Sequence, residues 1–493
     1  MMKDVLPNWL KKRAELSPNR IAIKMSGKEL TFKELFDCSV EYASKLFEHG
    51  IQYGSRVGIL QSNQLDMVIT IHALMHLEAE IVLYNTRLTT KELEWQFKDS
   101  KLDWLITGDN YTQMIKDVLE DKAMLIPMAA IESMDKSDSF SIVEEFDLSK
   151  TVTIMYTSGT TGNPKGVIQT YGNHWWSAMG SMLNLGLHEK DIWLCVVPIF
   201  HISGLSILFR SVIYGITVIL HEQFNEERVN RSIMEEEVTI ISVVTATLNR
   251  MLVQLNNLTY PSSFRCMLLG GGPAPVSLLE ECKEKNIPVF QTYGMTETSS
   301  QIVTLSPEYS LNKLGSAGKA LFPAQIQIQI DDRKAAPNEV GEIMVKGPNI
   351  TKGYLNREDA TKSAIVNGWL KTGDMGYLDE DGFLFVVDRR SDLIISGGEN
   401  IYPAEIESVL MKHPAVFEAG VTGIGDAKWG QVPVGFIVLS NKNVQVENLI
   451  EHCQSHLASY KVPKKMYIVD ELPRNSSNKL LRRQLLQHLK EKL

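Results

Sequence analysis

The chain of 493 residues lacks the features that mark secreted, membrane and disulfide-stabilised proteins. No uninterrupted apolar run approaches the roughly 20 residues that a membrane helix needs. The N-terminus has neither the charged start nor the apolar stretch of a signal peptide. The five cysteines form no Cys-x-x-Cys pair and are typical of reduced thiols. We therefore expect a cytoplasmic protein without a membrane span.

Positive charge is also scarce. The net charge is -9 and no long basic run occurs, which argues against nucleic acid as the main partner. Hydrophobic residues make up 44% of the chain and charged residues 22%, as in ordinary globular proteins. Because the length exceeds the roughly 250 to 300 residues at which one core stops growing, we expect at least two domains.

Short apolar runs alternate with segments of helical period from about residue 20 to residue 300. The runs lie at 57–60, 81–83, 104–106, 192–197, 217–220, 240–244 and 265–269. Thr31 and Glu34 form the capping box of a helix predicted over 31–48. Alternating strands and helices predict parallel sheets with helices on both faces, an α/β fold.

The pattern changes from about residue 315 to residue 388. Alternating strands with Gly and Asp turns, at 325–330, 341–345 and 382–387, indicate an antiparallel, barrel-like subdomain. A charged run at 388–392 precedes a segment with its own pattern, opened by a helix with Pro403 in its first turn. We therefore place an N-terminal domain at 1–388, a hinge at 389–392 and a C-terminal domain at 393–493.

The segment 156–167 is the most informative part of the chain. Its glycines let an anion approach the backbone, its hydroxyls can donate to phosphate oxygens, and Lys165 adds a positive charge. It is neither a Walker A loop nor a Gly-x-Gly-x-x-Gly loop, which argues against ordinary kinases and dinucleotide-binding enzymes. The composition predicts a phosphate-binding loop; a surface loop rich in Ser, Thr and Gly is the alternative.

Three further polar segments suit a nucleotide, at 291–298, 370–374 and 473–481. In the first, Tyr293 can stack on a base and Glu297 can hold a magnesium ion. In the second, Asp374 can accept hydrogen bonds from the ribose hydroxyls. The third contains Lys479. Taken alone, each segment also fits a turn or a solvated surface.

The order and spacing of these four segments resemble one family, the adenylate-forming enzymes, which include acyl- and aryl-CoA ligases, luciferases and the adenylation domains of peptide synthetases. The resemblance covers essentially the whole chain. It implies a large N-terminal domain of two doubly wound subdomains plus a β-barrel-like subdomain, and a small mobile α+β C-terminal domain. It also implies that a carboxylate attacks the α-phosphate of ATP, giving an acyl-adenylate and pyrophosphate, a step that depends on positioning and cationic stabilisation.

The resemblance also implies roles for individual residues. Lys479 matches the catalytic lysine, Thr157 belongs to the same catalytic set, and Glu297 would bind Mg²⁺. The residues implied to bind ATP or AMP are Thr157, Ser158, Gly159, Thr160, Thr161, Lys165, Gly270, Gly271, Gly272, Gln291, Tyr293, Gly294, Thr296, Asp374 and Arg389. Gly397 and Gly398 would let coenzyme A pass the backbone, and Ser391 stands at the hinge, where the family often has Asp or Lys.

Two features bear on the acyl substrate. His201, followed by Ser203, matches the family histidine at the mouth of the acyl pocket. Arg210 lies in an otherwise apolar helical stretch, where an arginine must snorkel, pair with an acid or contact a ligand. A second substrate carboxylate, held by Arg210 with Ser300, would explain it; a structural salt bridge is the alternative.

Within the family the chain resembles most closely the o-succinylbenzoate-CoA ligases of menaquinone biosynthesis, through 200–206, 269–275 and 299–305. Their substrate is an aromatic acid with a succinyl arm, whose carboxylate is activated. We therefore expect ATP, Mg²⁺, coenzyme A and a small-molecule acid as ligands. An aryl- or medium-chain acyl-CoA ligase, luciferase-like oxidation and a non-catalytic adenylate-binding protein are the alternatives. A homodimer is expected only from its frequency among soluble enzymes.

Overall fold

The computed structural model describes residues 4–490 with short gaps at 89, 117–123, 158–163, 271–273, 390–391, 393, 397–398, 402, 427–428, 441–443, 458 and 476–477. In the described part of the chain the helices are α1 (Trp9–Leu16), α2 (Phe32–Glu48), α3 (Leu65–His76), α4 (Thr90–Ser100), α5 (Asp109–Ile115), α6 (Tyr171–Leu185), α7 (Ile202–Tyr214), α8 (Glu226–Glu235), α9 (Thr245–Leu255), α10 (Val276–Glu284), α11 (Glu358–Ala364), α12 (Pro403–Leu410), α13 (Val446–His456) and α14 (Arg482–Lys490). None of these is long and apolar enough to cross a membrane.

Helix α2 shows how local sequence signals are used. The Thr31 hydroxyl accepts a hydrogen bond from Glu34 N at 3.2 Å, and the Glu34 carboxylate accepts one from Thr31 N at 2.8 Å. This confirms the predicted capping box, which satisfies two backbone donors at the start of the helix. The apolar face buries Phe32, Leu35 and Leu46, so packing stabilises the helix that the cap begins.

The first sheet has seven strands and carries the phosphate-loop segment. Its strands are β4 (Arg56–Leu60), β5 (Glu80–Leu83), β6 (Trp104–Thr107), β7 (Met124–Pro127), β9 (Thr151–Thr157), β10 (Lys165–Thr170) and β21 (Gly353–Tyr354). A separate short pair is formed by β1 (Val5–Pro7) and β8 (Glu145–Asp147). The order is β21-β10-β9-β5-β4-β6-β7. The strands from β9 to β7 are parallel, whereas β10 and β21 pair antiparallel.

The second sheet has nine strands. They are β2 (Ile21–Met25), β3 (Lys28–Thr31), β11 (Ile192–Cys195), β12 (Thr217–Leu220), β13 (Ile240–Val244), β14 (Cys266–Gly270), β15 (Val289–Met295), β16 (Ser300–Leu305) and β17 (Lys319–Ala320). The order is β17-β16-β15-β14-β13-β11-β12-β2-β3, and the six strands from β15 to β2 are parallel. These two sheets confirm the predicted doubly wound α/β architecture.

The third sheet is antiparallel and follows the change of pattern in the sequence. It contains β18 (Gln325–Ile330), β19 (Arg333–Lys334), β20 (Gly341–Lys346), β22 (Ile365–Val366), β23 (Trp369–Leu378) and β24 (Leu384–Arg389). The strand predicted at 382–387 begins two residues later, because Gly382 has φ 79° and belongs to the preceding turn. Strand β24 also extends to Arg389, the first residue of the predicted hinge.

A fourth sheet lies in the C-terminal part of the chain, in the order β26-β25-β28-β27, with β29 parallel to β28. Its strands are β25 (Ile394–Ser396), β26 (Glu399–Ile401), β27 (Val416–Asp426), β28 (Gly430–Leu439) and β29 (Lys465–Ile468). Arg482 of α14 donates to both carboxylate oxygens of Glu407, at 2.9 and 2.6 Å, and to Asp392 Oδ2 at 2.9 Å. This cluster joins the final helix to the start of the C-terminal part.

The first two sheets share one hydrophobic core. Buried residues of β4 and β5 belong to the same cluster as buried residues of β11 and β12, together with residues of α2, α3 and α7. These helices therefore lie between the two sheets. Ligands of open α/β sheets bind beyond the carboxyl ends of the parallel strands, and the predicted nucleotide segments follow the ends of β9 and β14.

The same part of the molecule buries three uncharged histidines. His76 contacts Asn8 Nδ2 through Nδ1 and Ser39 Oγ through Nε2, each at 2.9 Å. Burial lowers the pKa of His72 to about 4 and the pKa values of His76 and His174 to about 3. These side chains are therefore neutral in the folded protein at pH 7.

We expect the free energy of unfolding to fall as the pH decreases from 6.5 towards 4. Each folded-state pKa lies below the ordinary value of about 6.5, so the unfolded chain binds more protons in this range. The expected slope is about 1.4 kcal/mol per pH unit for each of the three histidines. Urea unfolding at pH 7.5, 6.5, 5.75 and 5.0 measures it.

The matched variants for this experiment are His72→Leu and His188→Gln. The first removes one buried histidine and should reduce the slope, whereas the second changes an exposed histidine and should leave it unchanged. A free energy of unfolding that is constant between pH 7.5 and 5.0 would contradict the prediction.

Candidate active site

The phosphate-loop segment is a hairpin between β9 and β10. Thr157, the last residue of β9, is the register partner of Lys165, the first residue of β10. The structure therefore brings Thr157 and Lys165 together. Ser158, Gly159, Thr160 and Thr161 lie outside the described residues.

Strands β14, β15, β23 and β24 bring the predicted adenosine residues together. Gly270 ends β14, and its neighbour Leu269 is the register partner of Gln291 on β15. Tyr293 donates a hydrogen bond to Asp374 Oδ2 at 2.8 Å, and Asp374 lies directly opposite Arg389. The predicted nucleotide residues therefore lie on one edge formed by two sheets. Gly271, Gly272 and the Arg389 side chain lie outside the described residues.

The surroundings of Gln291 and Gly294 explain why an amide and a glycine occupy these two positions. The Gln291 side chain is buried, and its Nε2 has no hydrogen-bond partner among the described residues. A buried donor of this kind is costly unless a ligand or water accepts from it. Gly294 lies at a register shift in the pair β15–β16, where an added Cβ would come within 2.2 Å of Ser300 O. A side chain at 294 would displace the backbone that carries Ser300.

The turn after β15, Thr296–Thr298, carries Glu297 and continues through Ser299. Four consecutive carbonyl oxygens of this segment each accept a hydrogen bond from a distant part of the chain. Gln169 Nε2 donates to Thr296 O at 2.8 Å, Thr351 N to Glu297 O at 2.7 Å, Asn349 Nδ2 to Thr298 O at 2.9 Å, and Ser177 Oγ to Ser299 O at 2.5 Å. We call these four contacts the carbonyl clamp. Because their donors come from β10, α6 and the segment before β21, the clamp fixes the Glu297 backbone against three elements.

The Glu297 carboxylate is buried and accepts a hydrogen bond from the Tyr354 hydroxyl, whose oxygen lies 3.1 Å from Oε1. Burial and the charge of Glu297 raise the pKa of Tyr354, so the phenol stays protonated and donates. No group of three or more His, Cys, Asp or Glu among the described residues is arranged to hold a metal ion. One carboxylate next to phosphates suits Mg²⁺, which keeps several waters and commonly binds through one or two carboxylates plus phosphate oxygens.

The predicted acyl-pocket residues lie at the start of α7. His201 caps this helix with its backbone, and burial together with the positive charge of Arg87 lowers the pKa of His201 to about 4. The imidazole is therefore neutral at pH 7. Ser203 is exposed on the first turn, and Ser206 Oγ lies 3.5 Å from Ser300 Oγ. The structure thus brings His201, Ser203 and Ser300 to one end of α7.

The backbone at Ser300 is strained. Ser299 and Ser300 have φ values of 51° and 104°, and the second is rare for any residue with a Cβ. The carbonyl clamp and the close approach of Gly294 hold this conformation. Strain that the surrounding structure maintains is common where a protein contacts a ligand.

Arg210 is the most unusual charge in the molecule. It is 1% exposed, its guanidinium lies 5.5 Å from the Trp193 ring centroid, and Nη2 lies 3.4 Å from Ser177 Oγ. Its Nε has no partner, and no carboxylate of the described residues pairs with the guanidinium. Burial lowers the pKa of Arg210, yet an arginine keeps its charge in proteins. The structural salt bridge is therefore not found in the described part of the chain.

Lys479 lies in a tight loop of the C-terminal part. Lys479 N donates to Asn475 Oδ1 at 2.8 Å, and Asn475 N donates to Lys479 O at 2.9 Å. Arg474 pairs with Glu418 of β27 at 2.9 Å, which fixes one end of the loop. The Lys479 side chain is exposed. The predicted coenzyme A residues Gly397 and Gly398 and the hinge residue Ser391 lie outside the described residues.

Sequence analysis missed Gln169, Ser177, Asn349 and Tyr354, which surround the Glu297 turn. Gln169 alone gave a usable signal, because an amide next to the apolar residues of a buried strand must find partners. It accepts from Thr153 Oγ1 at 2.9 Å and donates to the clamp. The others are common residues whose role depends on contacts with distant segments.

Comparison with known proteins agrees with this geometry. The family model described as AMP-binding enzyme matches residues 10–355, and the model described as AMP-binding enzyme C-terminal domain matches residues 405–479. A 2-succinylbenzoate–CoA ligase of Geobacillus kaustophilus (strain HTA426) is 55% identical over 481 residues, which cover 97% of each chain.

Two solved structures of o-succinylbenzoate coenzyme A synthetase from Bacillus subtilis are 52% identical to this chain and superimpose with a TM-score of 0.93. One is a complex with the acyl-adenylate intermediate OSB-AMP and covers 98% of both chains. The other is a complex with ATP and a magnesium ion and covers 98% of this chain and 100% of that one. Because one family model matches well over half of the sequence and these relatives match nearly all of it, the chain belongs to the family of adenylate-forming, AMP-binding enzymes.

Proposed function

We propose that this enzyme is an acid-thiol ligase that uses ATP to adenylate 2-succinylbenzoate and then transfers the acyl group to coenzyme A. The products are 2-succinylbenzoyl-CoA, AMP and pyrophosphate, in menaquinone biosynthesis. The observation that carries the substrate assignment is the buried charge of Arg210, which has no carboxylate partner among the described residues. The relatives named above support the same reaction. A cytoplasmic location and a homodimer remain predictions from the sequence.

The nucleotide contacts follow from the residues that the sheets bring together. Asp374 accepts hydrogen bonds from the ribose hydroxyls, with Arg389 on the neighbouring strand, while Gln291 and Tyr293 flank the adenine. Asp374 is 6% exposed and already accepts from Tyr293, so its carboxylate is held in one orientation before ATP binds. A held acceptor lowers the entropy that ATP binding must overcome.

When bound, Mg²⁺ would balance the negative charge of the phosphate oxygens. Glu297 is the residue that would hold it, because its carboxylate is buried and accepts a hydrogen bond from Tyr354. Thr157 and Lys165 bind the β- and γ-phosphates from the facing hairpin. Lys165 has no carboxylate partner among the described residues, so its charge is available to a phosphate.

The adenylation step joins two anions, so it needs cations at the phosphorus atom that is attacked. Lys479 supplies one, from a loop held by Arg474 and Asn475. Its ammonium stabilises the charge that develops on the α-phosphate oxygens as the carboxylate attacks. A neutral His201 next to the acyl group does not pair with the substrate carboxylate and leaves it nucleophilic.

Transfer to coenzyme A needs a different surface near the acyl carbon. We place the large domain at 1–388, with the barrel-like part at about 315–388, the hinge at 389–392 and the small domain at 393–493. Rotation about the hinge at Ser391 would remove Lys479 and bring Gly397 and Gly398 to the acyl-adenylate. The Arg482 cluster joins Asp392, the last hinge residue, and Glu407 to the helix that follows Lys479, so the end of the hinge moves with the small domain.

The acyl pocket holds the ring carboxylate of 2-succinylbenzoate through Arg210 and Ser300. Arg210 reaches the pocket wall through Ser177, whose hydroxyl donates to Ser299 O next to Ser300. A buried cation favours an anionic ligand strongly because water does not compete for it. A monoacid would leave the charge without a partner.

Thioester formation tests the proposed substrate directly. We expect purified enzyme with ATP, Mg²⁺ and coenzyme A to prefer 2-succinylbenzoate over benzoate, 4-phenylbutyrate and hexanoate at equal concentration. The ratio of kcat/KM values gives the preference. A higher kcat/KM for a monoacid would contradict the substrate and would indicate an aryl- or medium-chain acyl-CoA ligase.

Lys479→Ala should decrease the rate of adenylation by about 10²- to 10³-fold, because it removes a cation that acts mainly in the transition state. Binding of MgATP, measured by calorimetry, should change little. ATP–pyrophosphate exchange measures the rate. The matched control is Lys465→Ala, which changes an exposed lysine of β29. Unchanged exchange in Lys479→Ala would exclude the catalytic role.

Arg210→Met keeps most of the side-chain volume and removes the charge. The informative substrate pair is 2-succinylbenzoate and 4-oxo-4-phenylbutyrate, which lacks only the ring carboxylate. The native enzyme should favour the diacid in kcat/KM on the order of 100-fold, and the variant should favour it only slightly. KM for ATP should change by less than about twofold.

The exposed Arg228→Met is the control for the loss of an arginine, and urea unfolding of each variant verifies the fold. An Arg210→Met enzyme that retains the full preference for the diacid would remove Arg210 from the substrate pocket. Equal losses with both acids would assign it a structural role instead.

A further inference from the structure

Tyr354 lies between two opposite charges of the nucleotide site. Its hydroxyl oxygen is 3.1 Å from Glu297 Oε1, and Lys165 Nζ lies 5.0 Å from the centroid of its ring. Lys165 therefore contacts the face of the ring, while the carboxylate contacts the hydroxyl. Among the described residues Lys165 has no ion-pair partner, although an acidic side chain binds to the same tyrosine.

The backbone around Tyr354 is fixed on both sides. Leu355 N donates to Gly166 O at 2.8 Å, which joins the segment to the residue after Lys165. Thr351 N donates to Glu297 O at 2.7 Å, which joins the Tyr354 segment to the turn that carries Glu297. Tyr354 N donates to Thr361 Oγ1 at 2.9 Å. The backbone that carries the ring is therefore held between the hairpin and the turn.

We propose that Tyr354 is a positioning residue that separates Lys165 from Glu297 and so keeps both charges available for MgATP. The proposal rests on the nucleotide site proposed above. The two contacts differ in chemistry: a cation is attracted to the face of an aromatic ring, and a carboxylate accepts from a phenol. Neither of these two contacts is an ion pair.

Without the ring, the ammonium and the carboxylate would be free to approach and form an ion pair. Such a pair, partly shielded from water, would have to be broken before Glu297 could hold Mg²⁺ and before Lys165 could bind a phosphate. The expected effect is therefore weaker binding of Mg²⁺ and ATP with little effect on the acid. If Tyr354 had only a structural role, its replacement would weaken the binding of Mg²⁺, of ATP and of the acid alike.

The experiment compares Tyr354→Phe, which removes only the hydroxyl, with Tyr354→Leu, which also removes the ring. Tyr260→Phe is the matched control. The Tyr260 hydroxyl donates to Asn230 Oδ1 of α8 at 2.7 Å, outside the proposed nucleotide site. The readouts are the Mg²⁺ concentration for half-maximal ATP–pyrophosphate exchange, KM for ATP and KM for the acid. Calorimetry with MgATP and with ATP plus EDTA measures binding separately.

For Tyr354→Phe we expect the Mg²⁺ concentration at half-maximal exchange to rise about tenfold, the effect of one charge-assisted hydrogen bond. Tyr354→Leu should raise it further. Adding Lys165→Met to Tyr354→Leu should bring it back towards the Tyr354→Phe value, because the competing cation is gone. KM for the acid should stay within about twofold of the native value in Tyr354→Phe.

The proposal would be overturned if the Mg²⁺ concentration at half-maximal exchange for Tyr354→Phe were within twofold of the values for the native enzyme and for Tyr260→Phe. A similar increase in KM for the acid would also overturn it, since it would indicate general disruption. If Tyr354→Leu does not fold, Tyr354→Phe decides alone. Binding of MgATP does not depend on which acid is the substrate, so a rejected 2-succinylbenzoate would leave the Tyr354 result interpretable.

Discussion

The carbonyl clamp on residues 296–299 is the constraint on which the rest of the site depends. Four successive carbonyl oxygens accept hydrogen bonds from Gln169, Thr351, Asn349 and Ser177, so this segment has little freedom to move. One end of the clamped segment carries Glu297, and the other leads into Ser300. The clamp therefore fixes the relative position of the two residues that are proposed to hold Mg²⁺ and the acyl group.

Most of the architecture follows from local patterns in the sequence. Buried parallel strands are short apolar runs, and those at 217–220 and 240–244 appear in the structure with the predicted bounds. The capping box at Thr31 begins α2 as expected, since its chemistry is contained in four neighbouring residues. The segments 156–167, 291–298 and 370–374 lie on three different sheets, so local patterns do not predict which of their residues meet. Tyr293 lies within β15, and its hydroxyl donates to Asp374 of β23 in another sheet.

The residues that hold the site together follow from no local pattern. Gln169 and Thr296 are 127 residues apart, Ser177 and Ser299 are 122 apart, and Tyr354 and Glu297 are 57 apart. Each is a common residue in an ordinary element, and its partner is decided only when the sheets pack. Arg210 was found from the sequence for the opposite reason, because a charge in an apolar helix is costly wherever its partners lie. Sequence reasoning thus finds residues that violate a local rule and misses those that obey it.

Arg210 also affects the balance between stability and activity. Taking a guanidinium out of water costs several kcal/mol, and the Trp193 ring and the Ser177 hydroxyl offset only part of that cost. A methionine or leucine at this position would have no such cost, and replacements of that kind are often neutral or stabilising by about 1 to 4 kcal/mol. Selection for folding alone would therefore favour an apolar residue at 210. In the function proposed above, an anionic ligand offsets the cost that Arg210 imposes on the free protein.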